Sequence, residues 1–211
     1  MSRKIVVIGA SRGLGRATVR EALRRGHRVV AIARTMPKRP RNARLSWLTG
    51  DARDTNILEQ AVRDADAIII TLGADAPSKP TSLFSESAAA TVAAMKQAGI
   101  TRLIQITGIG AGDSRGHGGF VYDKLLFPAM LAKSYQDKDI AERIVAASGL
   151  DWTIIRPGFL TNARGTSRIR ALTTPDEYRP GKISRISVAR FILDRAEHGG
   201  FTGQTPLLIN K

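Results

Sequence analysis

The stretch Lys4-Ile5-Val6-Val7-Ile8-Gly9-Ala10-Ser11-Arg12-Gly13-Leu14-Gly15 decides the fold of this 211-residue chain. An apolar run from Lys4 to Ile8 breaks into a glycine turn and then into a helical pattern reaching about Arg25. Glycines at G-x-x-x-G-x-G spacing suit a tight turn, close approach of backbone to a phosphate and close helix–strand packing. The free N–H groups and positive dipole end of the helix would receive a pyrophosphate. A purely structural glycine turn shares this spacing. Three features favour a dinucleotide: the motif follows a buried-looking strand, it opens a helix, and a second apolar strand, Arg28 to Ala33, comes after a helix stop at Gly26.

The end of that second strand selects the dinucleotide. A site for a free ribose 2′-hydroxyl usually carries Asp or Glu about twenty residues past the glycines. Here Arg34 stands in that place, followed by Thr35, Lys38, Arg39 and Arg41. Arg34 can pair with a 2′-phosphate through two charge-assisted hydrogen bonds, and Arg12 can close from the other side. NADP(H) is therefore expected over NAD(H), with solvated surface arginines as the alternative.

Composition bounds the rest. The length suits one well-buried domain, and with 43% hydrophobic residues no disorder is expected. No apolar run approaches the roughly 20 residues of a membrane span. The first strand begins so early that no signal peptide is expected, and cysteine is absent, so a cytoplasmic location follows as the expectation. The net charge of +15 is dispersed, without long blocks of like charge, and two Trp, three Tyr and six Phe offer little for base stacking. The expected partner is a small-molecule acceptor, favoured to be anionic by the basic loops, with neither membrane nor nucleic acid.

Further strands are expected at Leu45 to Thr49, Asp66 to Leu72, Arg102 to Thr107, Asp151 to Arg156 and Pro206 to Asn210, alternating with helices. Asp51, with Ala52 beside it, would either accept a hydrogen bond from an adenine amino group or cap the helix beginning near Asp54. Leu72 and Gly73 lead into a loop to Pro80 where the cofactor riboses should pass, and close backbone approach would explain the glycine. A long helix should run from Thr81 or Ser82 to Gly99. Gly108 to Gly119 reads as a mobile segment over the active site, with His117 a polar loop residue or, as the alternative, a general acid. The helical region Phe120 to Ser148 should break near Pro128. Pro157-Gly158 ends the sixth strand, a second loop from Phe159 to Gly181 rises over the same edge, and Ser187 caps a last helix from Val188 to about Glu197. Substrate loops are thus expected at about 108–119 and 159–185. The whole pattern is α/β, a doubly wound, mostly parallel sheet flanked by helices.

Gly9 to Gly15, Gly50-Asp51, Thr107-Gly108 and the run Ala147-Ser148-Gly149-Leu150-Asp151-Trp152-Thr153-Ile154-Ile155-Arg156-Pro157-Gly158 resemble the atypical single-domain members of the short-chain dehydrogenase/reductase superfamily. These include NmrA-like proteins and the biliverdin/flavin reductase type. The resemblance covers nearly the whole chain and implies one Rossmann-type NAD(P)-binding domain, with the nicotinamide beside the ends of the fourth to sixth strands and Pro157 among the residues lining it.

Ordinary members of that superfamily use a Tyr-x-x-x-Lys helix pair, which this chain lacks: Tyr122 is followed four positions on by Leu126 and Tyr135 by Asp139, while Lys138 lies three past Tyr135. Lys138 precedes Asp151 by the spacing at which isoflavone-reductase-like relatives place a functional lysine. That likeness implies contact with the nicotinamide ribose or a substrate carbonyl; an exposed helix lysine is the alternative. Thr107 matches the family's serine or threonine position, with a structural strand-end threonine as its alternative. The implied activity is hydride transfer from NADPH to a stacked acceptor such as a flavin, quinone or other conjugated carbonyl. A non-catalytic, dinucleotide-sensing regulator of the NmrA-like kind fits the missing pair equally.

Overall fold

The computed structural model describes residues 1–36, 42–165 and 168–211. Lys38, Arg39 and Arg41 lie outside the described residues. The elements run β1 (Lys4–Ile8), α1 (Gly13–Arg24), β2 (Arg28–Ala33), β3 (Leu45–Thr49), α2 (Thr55–Val62), β4 (Ala67–Ile70), α3 (Leu83–Gln97) and β5 (Arg102–Ile106). After a π-helix (Tyr122–Leu131) come α4 (Ala132–Ala146), β6 (Asp151–Pro157), β7 (Phe159–Thr161), β8 (Ile169–Leu172), β9 (Lys182–Ser184), α5 (Arg185–His198) and β10 (Leu207–Asn210).

Among the described residues an eight-stranded sheet forms in the order β3-β2-β1-β4-β5-β6-β10-β8, parallel except for the β10–β8 pair, and β7 and β9 make a separate parallel pair. The chain reverses direction across the sheet between β1 and β4, which opens a crevice at the carboxyl ends of the strands. Strand residues alternate between two covered faces. Ile5, Val7, Val29 and Ile69 pack under Val19 and Ala22 of α1 and Val188 and Ile192 of α5. Val6, Ile8, Ile32, Ile68 and Leu103 pack under Leu58, Phe84, Met95 and Val145 of α2, α3 and α4. Burial on both faces is why these strands read as continuous apolar runs.

Three expectations need correction. The segment Phe159 to Gly181 is not one loop: it holds β7 and β8, and β8 is recruited by antiparallel pairing with β10. Its alternating Ile169, Ala171 pattern half-buries one face. The last helix begins at Arg185, and its cap is Ser184, whose side chain accepts from the Ser187 N–H at 3.0 Å. The expected break near Pro128 takes the form of a π-helical stretch running straight into α4; the wider turn accommodates a residue with no N–H to donate.

A capping contact across the structure fixes α4 against α3. The Ser82 side chain gives α3 no cap bond. Buried Asp137, from the middle of α4, instead accepts from the backbone N–H groups of Phe84 at 2.7 Å and Ser85 at 3.3 Å. Asp137→Ala should cost about 1–2 kcal/mol, seen as a fall of several degrees in the thermal midpoint, with Asp137→Asn retaining part of the loss.

Candidate functional site

At the carboxyl ends of β1, β2, β4, β5 and β6 lies a cleft of about 760 Å³. One end is the glycine turn. Gly9 and Gly13 have φ of +86° and +54°, which non-glycine residues rarely adopt. A Cβ on Gly15 would collide with the Gly9 carbonyl oxygen and the Thr71 hydroxyl. The three glycines therefore press α1 onto the end of β1. Arg12 at the N-cap gives no side-chain cap bond, and no acidic residue occupies the first turn. Gly13 and Leu14 line the cleft with Gly9, Ser11 and Arg12, so the N–H groups that a helix start leaves without intrahelical partners open onto it. This cradle fits a pyrophosphate. Arg185, at the start of α5, also lines the cleft beside Gly13 and brings a cation that the sequence did not single out.

Past this turn, Arg34 and Arg12 both form ion pairs with Asp75, in the loop after β4. Asp51 lines the cleft, and its carboxylate accepts from the Arg53 backbone at 2.9 Å and side chain at 2.8 and 2.9 Å. Those bonds to Arg53 pull its pKa down to about 2, so it stays an anionic acceptor. Asp51 does not cap the following helix; Asp54 does, accepting from Asn56 and Ile57. Ala52, Leu72 and Gly73 also line the cleft. A Cβ on Gly73 would meet nothing within 4 Å, so no neighbour among the described residues demands glycine there.

The other end is formed by Thr107, Gly108, Ile109, Tyr135, Lys138, Pro157 and Phe159. Lys138 is no exposed helix lysine: its Nζ donates to the Thr107 carbonyl at 3.1 Å and sits 4.1 Å from the Tyr135 ring centroid. Burial lowers its pKa to about 8, against the opposing pull of Glu142 and Asp139. Tyr135 and Lys138 thus share a face, although they are only three residues apart. The contact is ammonium on ring rather than ammonium beside hydroxyl, and burial raises the Tyr135 pKa well above its usual value.

The Thr107 hydroxyl is turned away from substrate chemistry. It donates to Glu142 at 2.6 Å, and Glu142 also accepts from Arg156 at 2.6 and 3.1 Å in a buried network. The Tyr122 hydroxyl donates to the Ile109 carbonyl at 3.0 Å. The glycine-rich segment after β5 is not a free lid. Ser114 accepts from Gly110 and donates to Ala111, Asp113 pairs with Arg156, and Asp139 accepts from Gly112. Of this segment, Gly108 and Ile109 line the cleft, while His117 packs edge-on against Tyr178 away from it. Among the described residues no group of three metal-binding side chains gathers, and no helix is long and apolar enough to cross a membrane.

A family model described as NAD(P)H-binding matches residues 9–198. The chain is 30% identical over 199 residues to the uncharacterized sugar epimerase YhfK of Bacillus subtilis (strain 168), covering 90% of this chain and 86% of that one. ChuY of Escherichia coli O157:H7, described as an anaerobilin reductase, is 26% identical with a TM-score of 0.79, over 98% of this chain and 97% of that one. A Veillonella parvula short-chain dehydrogenase/reductase solved with NADP superposes with a TM-score of 0.79 over 100% of this chain and 95% of that one, at 19% identity, a likeness of fold.

Gly15→Ala should lower stability by about 1–3 kcal/mol through overpacking against β1, measured by urea unfolding, and should sharply weaken dinucleotide binding, since the helix start must withdraw from the strand end.

Proposed function

Because the chain belongs to the NAD(P)H-binding family, we propose that it is an NADPH-dependent reductase that passes hydride to a conjugated acceptor such as a flavin, a quinone or a similar carbonyl. One observation carries this reading: a single cleft runs from the glycine turn to an apolar end walled by Ile109, Leu131, Phe159 and Leu160. The reductase description of ChuY supports it.

In this reading Gly9, Ser11, Gly13, Leu14 and Gly15 hold the pyrophosphate by backbone N–H groups. Arg12 and Arg34 grip the ribose 2′-phosphate, and Asp51 with Ala52 receives the adenine. Leu72 and Gly73 border the ribose path, and Pro157 backs the ring. The bound nicotinamide supplies the hydride. Lys138, held by the Thr107 carbonyl, donates to the nicotinamide ribose or to the acceptor oxygen; Thr107 acts as a positioning residue. Holding two rings in reach supplies much of the rate.

The regulatory reading draws on one observation: the hydroxyl protons of Thr107 and Tyr122 are spent on Glu142 and on the Ile109 carbonyl, leaving few proton donors beside Lys138. Steady-state NADPH oxidation with quinones and flavins separates the two, since turnover supports the reductase and tight binding without turnover supports the regulator.

Fluorescence titration should show NADPH bound in preference to NADH, with the preference lost in Arg34→Ala. Lys138 is charged below about pH 8 and neutral above it. Reductase kcat/KM should therefore fall as pH rises through about 8, and Lys138→Met should be slow but flat across that range.

A further inference from the structure

Asp75 stands where the 2′-phosphate is expected. Its carboxylate bonds Arg12 from the glycine turn with one oxygen and Arg34 from the end of β2 with the other. Both arginines hold it ionised, and its pKa is lowered accordingly. The nearby carboxylate of Asp51 is hydrogen-bonded by Arg53 and reaches Arg34 only through its charge. Asp75 belongs to the stretch from Gly73 to Pro80, which lines the cleft between its two ends. Within that stretch the backbone forms a Lys79 to Ala76 turn, and the ion pairs of Asp75 tie it to Arg12 and Arg34.

Building on the NADPH reading above, we propose that Asp75 is an internal competitor for the 2′-phosphate and a latch for the 73–80 loop. A 2′-phosphate carries more charge than a carboxylate and offers three acceptor oxygens, so it outcompetes Asp75 for both guanidinium groups. Its arrival frees the loop, whereas a nucleotide with a 2′-hydroxyl leaves both ion pairs in place. Asp75 thereby sets how far the two arginines favour the phosphorylated nucleotide, and it ties the wall of the acceptor cleft to the identity of the cofactor.

The experiment is calorimetric titration with adenosine 2′,5′-bisphosphate and with 5′-AMP on the full chain, on Asp75→Asn and on Arg34→Ala. Two exposed ion pairs of ordinary strength predict that Asp75→Asn binds the bisphosphate about threefold to tenfold tighter, with 5′-AMP little changed. Weaker bisphosphate binding would make Asp75 an organiser of the arginines and overturn the proposal, as would an equal change for both probes. Hydrogen exchange of the 74–79 amides gives a second readout. It should rise in Asp75→Asn without ligand, and loop protection equal to wild type would refute the latch. The Arg34→Ala arm isolates the premise: if wild type and that variant bind the bisphosphate no better than 5′-AMP, the 2′-phosphate seat itself is misassigned and the proposal falls with it.

Discussion

The site depends on the absence of one carbon atom. With no Cβ at Gly15, α1 settles against the Gly9 carbonyl and Thr71, and its axis aims at the cleft. Thr71 reinforces the contact by donating to the Ile8 carbonyl at 2.8 Å, joining β4 to β1 where the crevice opens. The position of the helix dipole, the entry of Arg12 and the seat of any phosphate all follow from that approach.

The opposite end of the cleft has a different support. Glu142 is held by Arg156 through two hydrogen bonds and receives the Thr107 hydroxyl, tying α4 to β5 and β6. A buried pair of this kind adds little net stability, but removing one partner leaves an uncompensated charge at a cost of about 3–5 kcal/mol. Together with the bonds that Asp137 accepts from the start of α3, it fixes the helix that carries Tyr135 and Lys138. From that helix Lys138 reaches the Thr107 carbonyl.

Much of this was legible in the sequence because it is written locally. Continuous apolar runs gave β1, β2, β4 and β5, and glycines at fixed offsets gave the turn. What escaped is written across distance. Nothing near Asp137 says that it caps a helix more than fifty residues upstream. Nothing near Asp75 announces an arginine from the glycine turn and another from the end of β2. Arg185 joins the cleft only because α5 packs beside α1. The short β7 and β8 lack enough pattern to declare themselves, and β8 exists through its partner. Ser184 and Ser187 were interchangeable by residue type, and only the bond between them tells which one caps.

The placement of β10 bears on how the chain is made. It lies between β6 and β8 although it follows both in chain order. During synthesis β8 has no sheet neighbour until β10 arrives, and β6 keeps an open edge through the same interval. An open edge is a template for another chain, and pairings of long sequence separation form slowly. Until β10 is seated between β6 and β8 that edge of β6 stays open, so one four-residue strand guards this side of the sheet against pairing with another chain.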